Sequence, residues 1–187
     1  MLFNRNTILP AAAAAKPVQY ALHALRRDMD KAFAPTQQPG GRLLLNTNDN
    51  LPAEQYTLTA NADSLLLSAA DDLGFVYGLF EISRRFLGVQ PFWFWCDQSF
   101  TAREGVTIDP GTVVESKPYK VKYRGWFIND ETLISHWKVE RRADLPFVMA
   151  FEALLRLGGN MVIPGTGKNA LLYRRAAADM GLILTHH

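Results

Sequence analysis

The amino-acid sequence predicts an α/β fold, a small N-terminal α/β domain followed by three parallel strand and helix units. Three observations predict it. Apolar residues recur at helical spacing in four stretches, within residues 17–34, 75–86, 146–157 and 171–180. Short apolar runs lie before, between and after these stretches, of a length that suits strands. The later runs, Trp126-Phe127-Ile128, Met161-Val162-Ile163 and Leu182-Ile183-Leu184, each stop at polar or glycine-rich residues with short links, the rhythm of a parallel sheet covered by helices.

In chain order, residues 17–34 open on Pro17, well placed at a helix start. Val18, Ala21, Leu22, Leu25, Met29 and Phe33 form the apolar stripe, with Arg26, Arg27, Asp28 and Lys31 mostly opposite. Pro39-Gly40-Gly41 breaks the chain before the strand Arg42–Asn46. Tyr56–Thr59 and Ser64–Ser68 read as a hairpin turning through Ala60-Asn61-Ala62-Asp63. Asp71 or Asp72 caps a helix carrying Phe75, Leu79, Ile82 and Phe86, which ends at Gly88. The aromatic run Pro91-Phe92-Trp93-Phe94-Trp95 reads as a buried junction between units, with a sugar-stacking platform as the other reading. Residues 97–120 lack periodicity and read as a connector, so the expected organisation is a domain over 1–96, a connector over 97–120 and a second unit over 121–187.

Composition narrows the function classes. A hydrophobic fraction of 48%, a charged fraction of 20% and a net charge of +2 are those of an ordinary globular protein and give no reason to expect nucleic acid or an anionic membrane as partner. The cluster Lys117, Lys120, Lys122 and Arg124 reads as a solvated basic face. No run reaches the ~18–20 apolar residues of a membrane helix. Arg5 and the weak apolar stretch Ile8–Ala15, interrupted by Pro10, read as mature sequence rather than a secretory leader, so a cytoplasmic location is expected, with export the alternative. The single cysteine, Cys96, rules out an internal disulfide and is expected to be a buried thiol.

The chemistry gathers at strand ends. Along Tyr123–Glu131, Arg124, Trp126, Ile128 and Asp130 share one strand face, and Asp130 falls at the carboxyl end, where parallel α/β folds bind ligands. Leu182–Thr185 delivers His186 and His187 to the same rim, with at most one of the two imidazoles facing the site. Asp130 is expected to face a pocket while Glu131 caps the following helix, and Arg124 lies deeper as an ion-pair partner. Gly165-Thr166-Gly167-Lys168-Asn169 sits between strand and helix like a phosphate loop, but its spacing is not that of one.

Lys122–Glu131, Phe151–Asn160 and Ala178–Gly181 leading into Thr185-His186-His187 resemble successive motifs of glycoside hydrolase family 115, whose members remove glucuronic or methylglucuronic acid from xylan. Leu73–Ser83, Leu87–Val89 and the aromatic run look like the end of that family's N-terminal α/β domain. The resemblance implies a (β/α)8 TIM barrel, inverting hydrolysis assisted by carboxylates, no cofactor and no metal. The partner it implies is a carbohydrate, glucuronic-acid-decorated xylan or a related glycan. By motif match Asp130 takes a catalytic or substrate-contacting position and His186 or His187 a substrate-binding one, with Asn129 and Glu131 as further substrate-binding residues. Pro164–Asn169 departs from the family, which usually has an aromatic-rich segment there. The stretch from residue 121 onward is far shorter than the ~250 residues of a complete barrel, so the chain is expected to be a truncated piece, inactive alone or a non-catalytic carbohydrate-binding remnant.

Overall fold

The computed structural model describes residues 1–11, 15–132, 134 and 136–186. Two compact units divide at Pro118 and Tyr119.

The first unit contains β1 (Leu2–Phe3), α1 (Lys16–Ala32), β2 (Arg42–Thr47), β3 (Tyr56–Ala60), β4 (Ser64–Ala69), α2 (Asp72–Ile82), β5 (Val106–Thr107) and β6 (Val113–Glu115). Its main sheet has the order β2-β4-β3-β6. The β3–β4 hairpin is antiparallel, with Leu58 opposite Leu67, while β2 runs parallel to β4. Leu43, Leu58, Leu65 and Leu67 are buried on this sheet. Val18, Ala21, Leu22, Leu25 and Met29 form the buried stripe of α1, as the periodicity requires. Asp28 departs from the sequence expectation: it is fully buried and paired with Arg27 at 3.0 Å. Asp71 is the cap of α2, its Oδ1 accepting the Gly74 N–H at 2.8 Å and its Oδ2 the Glu54 N–H at 2.8 Å. That helix ends in a π-helical turn, Ser83–Leu87, terminated by Gly88 at φ +76°.

Residues 97–120 are not simply a connector. β5 pairs antiparallel with β1, Phe3 opposite Val106, and β6 extends the main sheet, Leu58 opposite Val114. The Met1 ammonium donates to the Ile108 carbonyl at 2.6 Å within the same layer. Strands of two or three residues are too short to leave a period in the sequence, so their pairing with strands distant in the chain goes unread. The aromatic run is likewise only partly buried, with Phe92 exposed and Trp93 lying under Arg27 and Lys31 of α1, 4.7 and 5.0 Å from the ring centre. Cys96 is exposed, contrary to expectation, because it sits in the same solvent-facing turn.

The second unit contains β7 (Gly125–Phe127), α3 (Leu145–Arg156), β8 (Met161–Ile163), α4 (Gly167–Asp179) and β9 (Ile183–Leu184). The sheet order is β7-β8-β9 and both pairs are parallel, with Trp126 opposite Val162 and Val162 opposite Leu184. Val162, in the central strand, is fully buried, whereas Phe127 and Leu184 on the flanking strands are over a third exposed. β7 is therefore not buried on both faces as its apolar run suggests: Trp126 is half-buried and Phe127 exposed. Phe147, Phe151, Leu154 and Leu155 form the buried face of α3, and Glu152 pairs with Arg156 within it at 2.9 Å, both side chains nearly inaccessible.

The turn from α3 to β8 shows why Gly158-Gly159-Asn160 is written as it is. The Gly158 and Gly159 amides close the helix onto the Leu155 and Leu154 carbonyls, with Gly158 at φ +77°. A Cβ on Gly159 would run into the Leu154 side chain and backbone. The Asn160 side chain then bridges to β7, donating to the Lys122 carbonyl at 2.7 Å and accepting the Arg124 N–H at 2.9 Å. Gly159→Ala is expected to cost about 1–3 kcal/mol by overpacking, measured by chemical denaturation.

Candidate active site

The parallel register puts the carboxyl ends of β7, β8 and β9 on one edge. Asn129, Asp130 and Glu131 follow β7, Pro164–Thr166 follow β8, and Thr185 and His186 follow β9. The shared rim expected of Asp130 and His186 is thus present. His187 lies outside the described residues.

Asp130 does not face open solvent. It is fully buried, and its carboxylate reaches sideways to the loop after β8. Oδ1 accepts the Thr166 N–H and the Thr166 hydroxyl, each at 2.8 Å, and Oδ2 accepts the Asn169 side-chain amide. Thr166 is the N-cap of α4, so the carboxylate sits at a helix N-terminus, where the macrodipole favours a negative charge. Burial acts to raise the Asp130 pKa, but the Asn169 and Thr166 donors outweigh it and hold the carboxyl below its ordinary range. The Tyr173 hydroxyl, one and a half turns along α4, is pushed up by burial and then by the charges of Asp144 and Asp130. The phosphate-loop resemblance of Gly165–Asn169 finds its explanation here: the anion at this helix start is the chain's own carboxylate.

The other expected residues divide. Asn129 and Glu131 are exposed beside Asp130, and His186 is exposed at the end of β9. Glu131 does not cap the next helix: the N-cap of α3 is Asp144, because Pro146 in the first turn fixes the start there. Arg124 lies at the opposite end of β7, donating to the carbonyls of Gly158, Val121 and Lys122 and stacking on Tyr119 at 3.7 Å, so it is a fastening of the lower edge. A cavity of about 510 Å³ opens at the ends of β8 and β9, lined by Pro164, Gly165, Gly167, Arg174, Thr185 and His186 among others. Asp130 stands behind its wall, with Oδ2 3.3 Å from where a Cβ on Gly165 would sit. Thr166 and Asn169 escaped the sequence reading, although a Thr just ahead of a helix is a capping signal that pointed to this loop. Among the described residues no group of three His, Cys, Asp or Glu side chains is disposed to hold a metal ion, and no helix is long and apolar enough to cross a membrane.

Three parallel strands with their polar ends on one rim and helices between them place the chain in the class of mixed α/β proteins. The family model described as Glycosyl hydrolase family 115 matches residues 116–187. A solved structure, a family 115 4-O-methyl-alpha-glucuronidase described with specificity for decorated arabinogalactans, superposes on 100% of this chain with TM-score 0.77 and 22% identity. This chain spans 29% of that enzyme's chain. A Streptomyces plicatus beta-hexosaminidase matches 99% of this chain and 42% of its own, with TM-score 0.65 and 13% identity. A Flavobacterium johnsoniae chitobiase matches 98% of this chain and 32% of its own, with TM-score 0.60 and 13% identity. No curated protein matches. The chain thus resembles glycoside hydrolase family 115 in sequence over its second unit and in fold over its whole length.

Proposed function

We propose that this chain is the opening part of a glycoside hydrolase that releases glucuronic or 4-O-methylglucuronic acid from decorated xylan or a related glycan, its three parallel units beginning a (β/α)8 barrel. The observation that carries the reading is the family match over residues 116–187, the stretch that contains Asp130 and His186 on one rim. Inverting hydrolysis uses an acid and a base carboxyl ~6.5–9.5 Å apart with water between. Asp130, held ionised, is unsuited to be the acid. In this reading its charge steadies the cationic sugar ring of the transition state or orients sugar hydroxyls through the loop, while Asn129, Glu131 and His186 meet the sugar from solvent. Glu131 is the exposed carboxylate beside it, and a further carboxyl comes from elsewhere in the barrel.

The engaged state of the Asp130 carboxylate favours a second reading, a non-catalytic carbohydrate-binding rim. One experiment separates the two. Glucuronoxylan and decorated arabinogalactan are incubated with the protein, and free uronic acid is measured by chromatography alongside glycan retention. Release by the barrel-complete polypeptide, with binding alone by residues 1–187, is the expected result. Retention without release by both supports the binding reading, and neither release nor retention overturns both.

A further inference from the structure

We propose that Thr166 and Asn169 are positioning residues for Asp130, and that loop and carboxylate form one clasp across the rim: the side chain after β7 fixes the loop after β8, and the loop fixes the orientation of the carboxylate. The clasp rests on the sugar-binding reading only for its functional weight.

The physical case is in the donors. Three hydrogen bonds to the carboxylate come from this one loop and the first turn of α4, two to Oδ1 and one to Oδ2. All are neutral groups that donate here: a backbone N–H, a hydroxyl turned toward the acid and an amide NH2. Three donors aimed at two oxygens favour the anion, because before either side chain could accept the O–H of a protonated carboxyl the hydroxyl would have to reverse or the amide turn over, and the backbone N–H can do neither. Thr166 supplies a second, independent sign. As an N-cap residue at φ −105° and ψ 150° it has the backbone of a helix cap, yet its hydroxyl makes no hydrogen bond to its own helix. It is turned to Asp130 instead, giving up the local bond that such a residue ordinarily makes.

The loop backbone is shaped for the same purpose. Gly165 at φ +133° and Gly167 at φ +48° flank Thr166 in conformations that other residues rarely adopt, and they present its N–H to the carboxylate. Gly165 and Gly167 also line the cavity beside His186. The clasp therefore sets the position of one cavity wall although Asp130 is not itself part of the lining. Tyr173 on α4 responds to the charge of this carboxylate and to that of Asp144 at the start of α3.

The test is a carboxyl-carbon NMR titration of the full chain labelled at aspartate, in the parent and in Thr166→Val, Thr166→Ser and Asn169→Ala. Asp144, whose carboxyl Arg142 holds low at 2.6 Å, is the internal control. Expected is an Asp130 midpoint below the ordinary carboxylate range in the parent and in Thr166→Ser, and displaced upward in Thr166→Val and Asn169→Ala, with Asp144 unmoved. An Asp130 midpoint at the ordinary value in the parent, or one indifferent to Thr166→Val and Asn169→Ala, overturns the proposal. A variant that unfolds moves Asp144 as well, and the Ser and Val pair at position 166 then decides. Adding glucuronic acid to the parent and following the His186 ring signals forms a separate arm. Its failure would count against the sugar reading and leave the titration result standing.

Discussion

Asp130→Asn is expected to destabilise the second unit by about 2–4 kcal/mol near neutral pH, the scale of losing charge-assisted hydrogen bonds to a buried group. An asparagine has the same outline but no charge and one acceptor oxygen where the carboxylate has two, so its NH2 meets either the Thr166 N–H, a donor, or an Asn169 amide that has to turn over to accept it. The helix start also loses its counter-charge. The pH dependence has a definite sign. The folded carboxyl is held below its unfolded value, so the unfolded chain binds the proton more readily, and the stabilisation is complete above the unfolded value of about 3.9. It is lost as pH falls through the lower folded value. Amide exchange in β7 and β8, followed from neutral pH to below about pH 4, should therefore reveal an acid-labile contribution in the parent that the Asn variant lacks. Equal protection in both proteins across that range would mean that the buried carboxylate carries no such weight.

Arg156→Ala is expected to cost about 3–5 kcal/mol, since it removes the cation that faces the buried Glu152 carboxylate within α3. The side chains of the pair are 2% and 0% exposed and meet at 2.9 Å, one helical turn apart. Geometry of that kind says little about whether the pair as a whole stabilises, because desolvating two ions offsets their attraction. The informative comparison is the joint replacement Glu152→Leu with Arg156→Met, which removes both charges and keeps the volume. It should recover most of the loss in a denaturation series. If the double variant is as unstable as the single one, the pair is contributing hydrogen bonds that an apolar substitute cannot replace.

The helices and the parallel second sheet were legible because each carries its own local signal. The stripe Val18, Ala21, Leu22, Leu25 and Met29 is a period of 3.6, and Asp71 announces α2 by capping chemistry. What escaped depends on partners distant in sequence. β5 and β6 become strands only by pairing with β1 and β3, and two or three residues leave no pattern to read. The same holds at the rim. The order of elements located Asp130 and His186 on one edge, but nothing local to Asp130 says that its side chain turns away from solvent toward Thr166 and Asn169, 36 and 39 positions later. A carboxylate at a strand end and a small-residue loop before a helix were each visible. That one is the ligand of the other is a fact of packing.

The closing of the first sheet by β6 bears on any attempt to study the two halves separately. A polypeptide cut at residue 96, where the aromatic run suggests a border, would leave β3 with a bare outer edge and β1 without its partner β5. The Met1 ammonium would lose its acceptor at Ile108 in the same stroke. The severable seam is at Pro118, and the twenty-odd residues ahead of it act as a belt that the N-terminal half must keep in order to hold its shape.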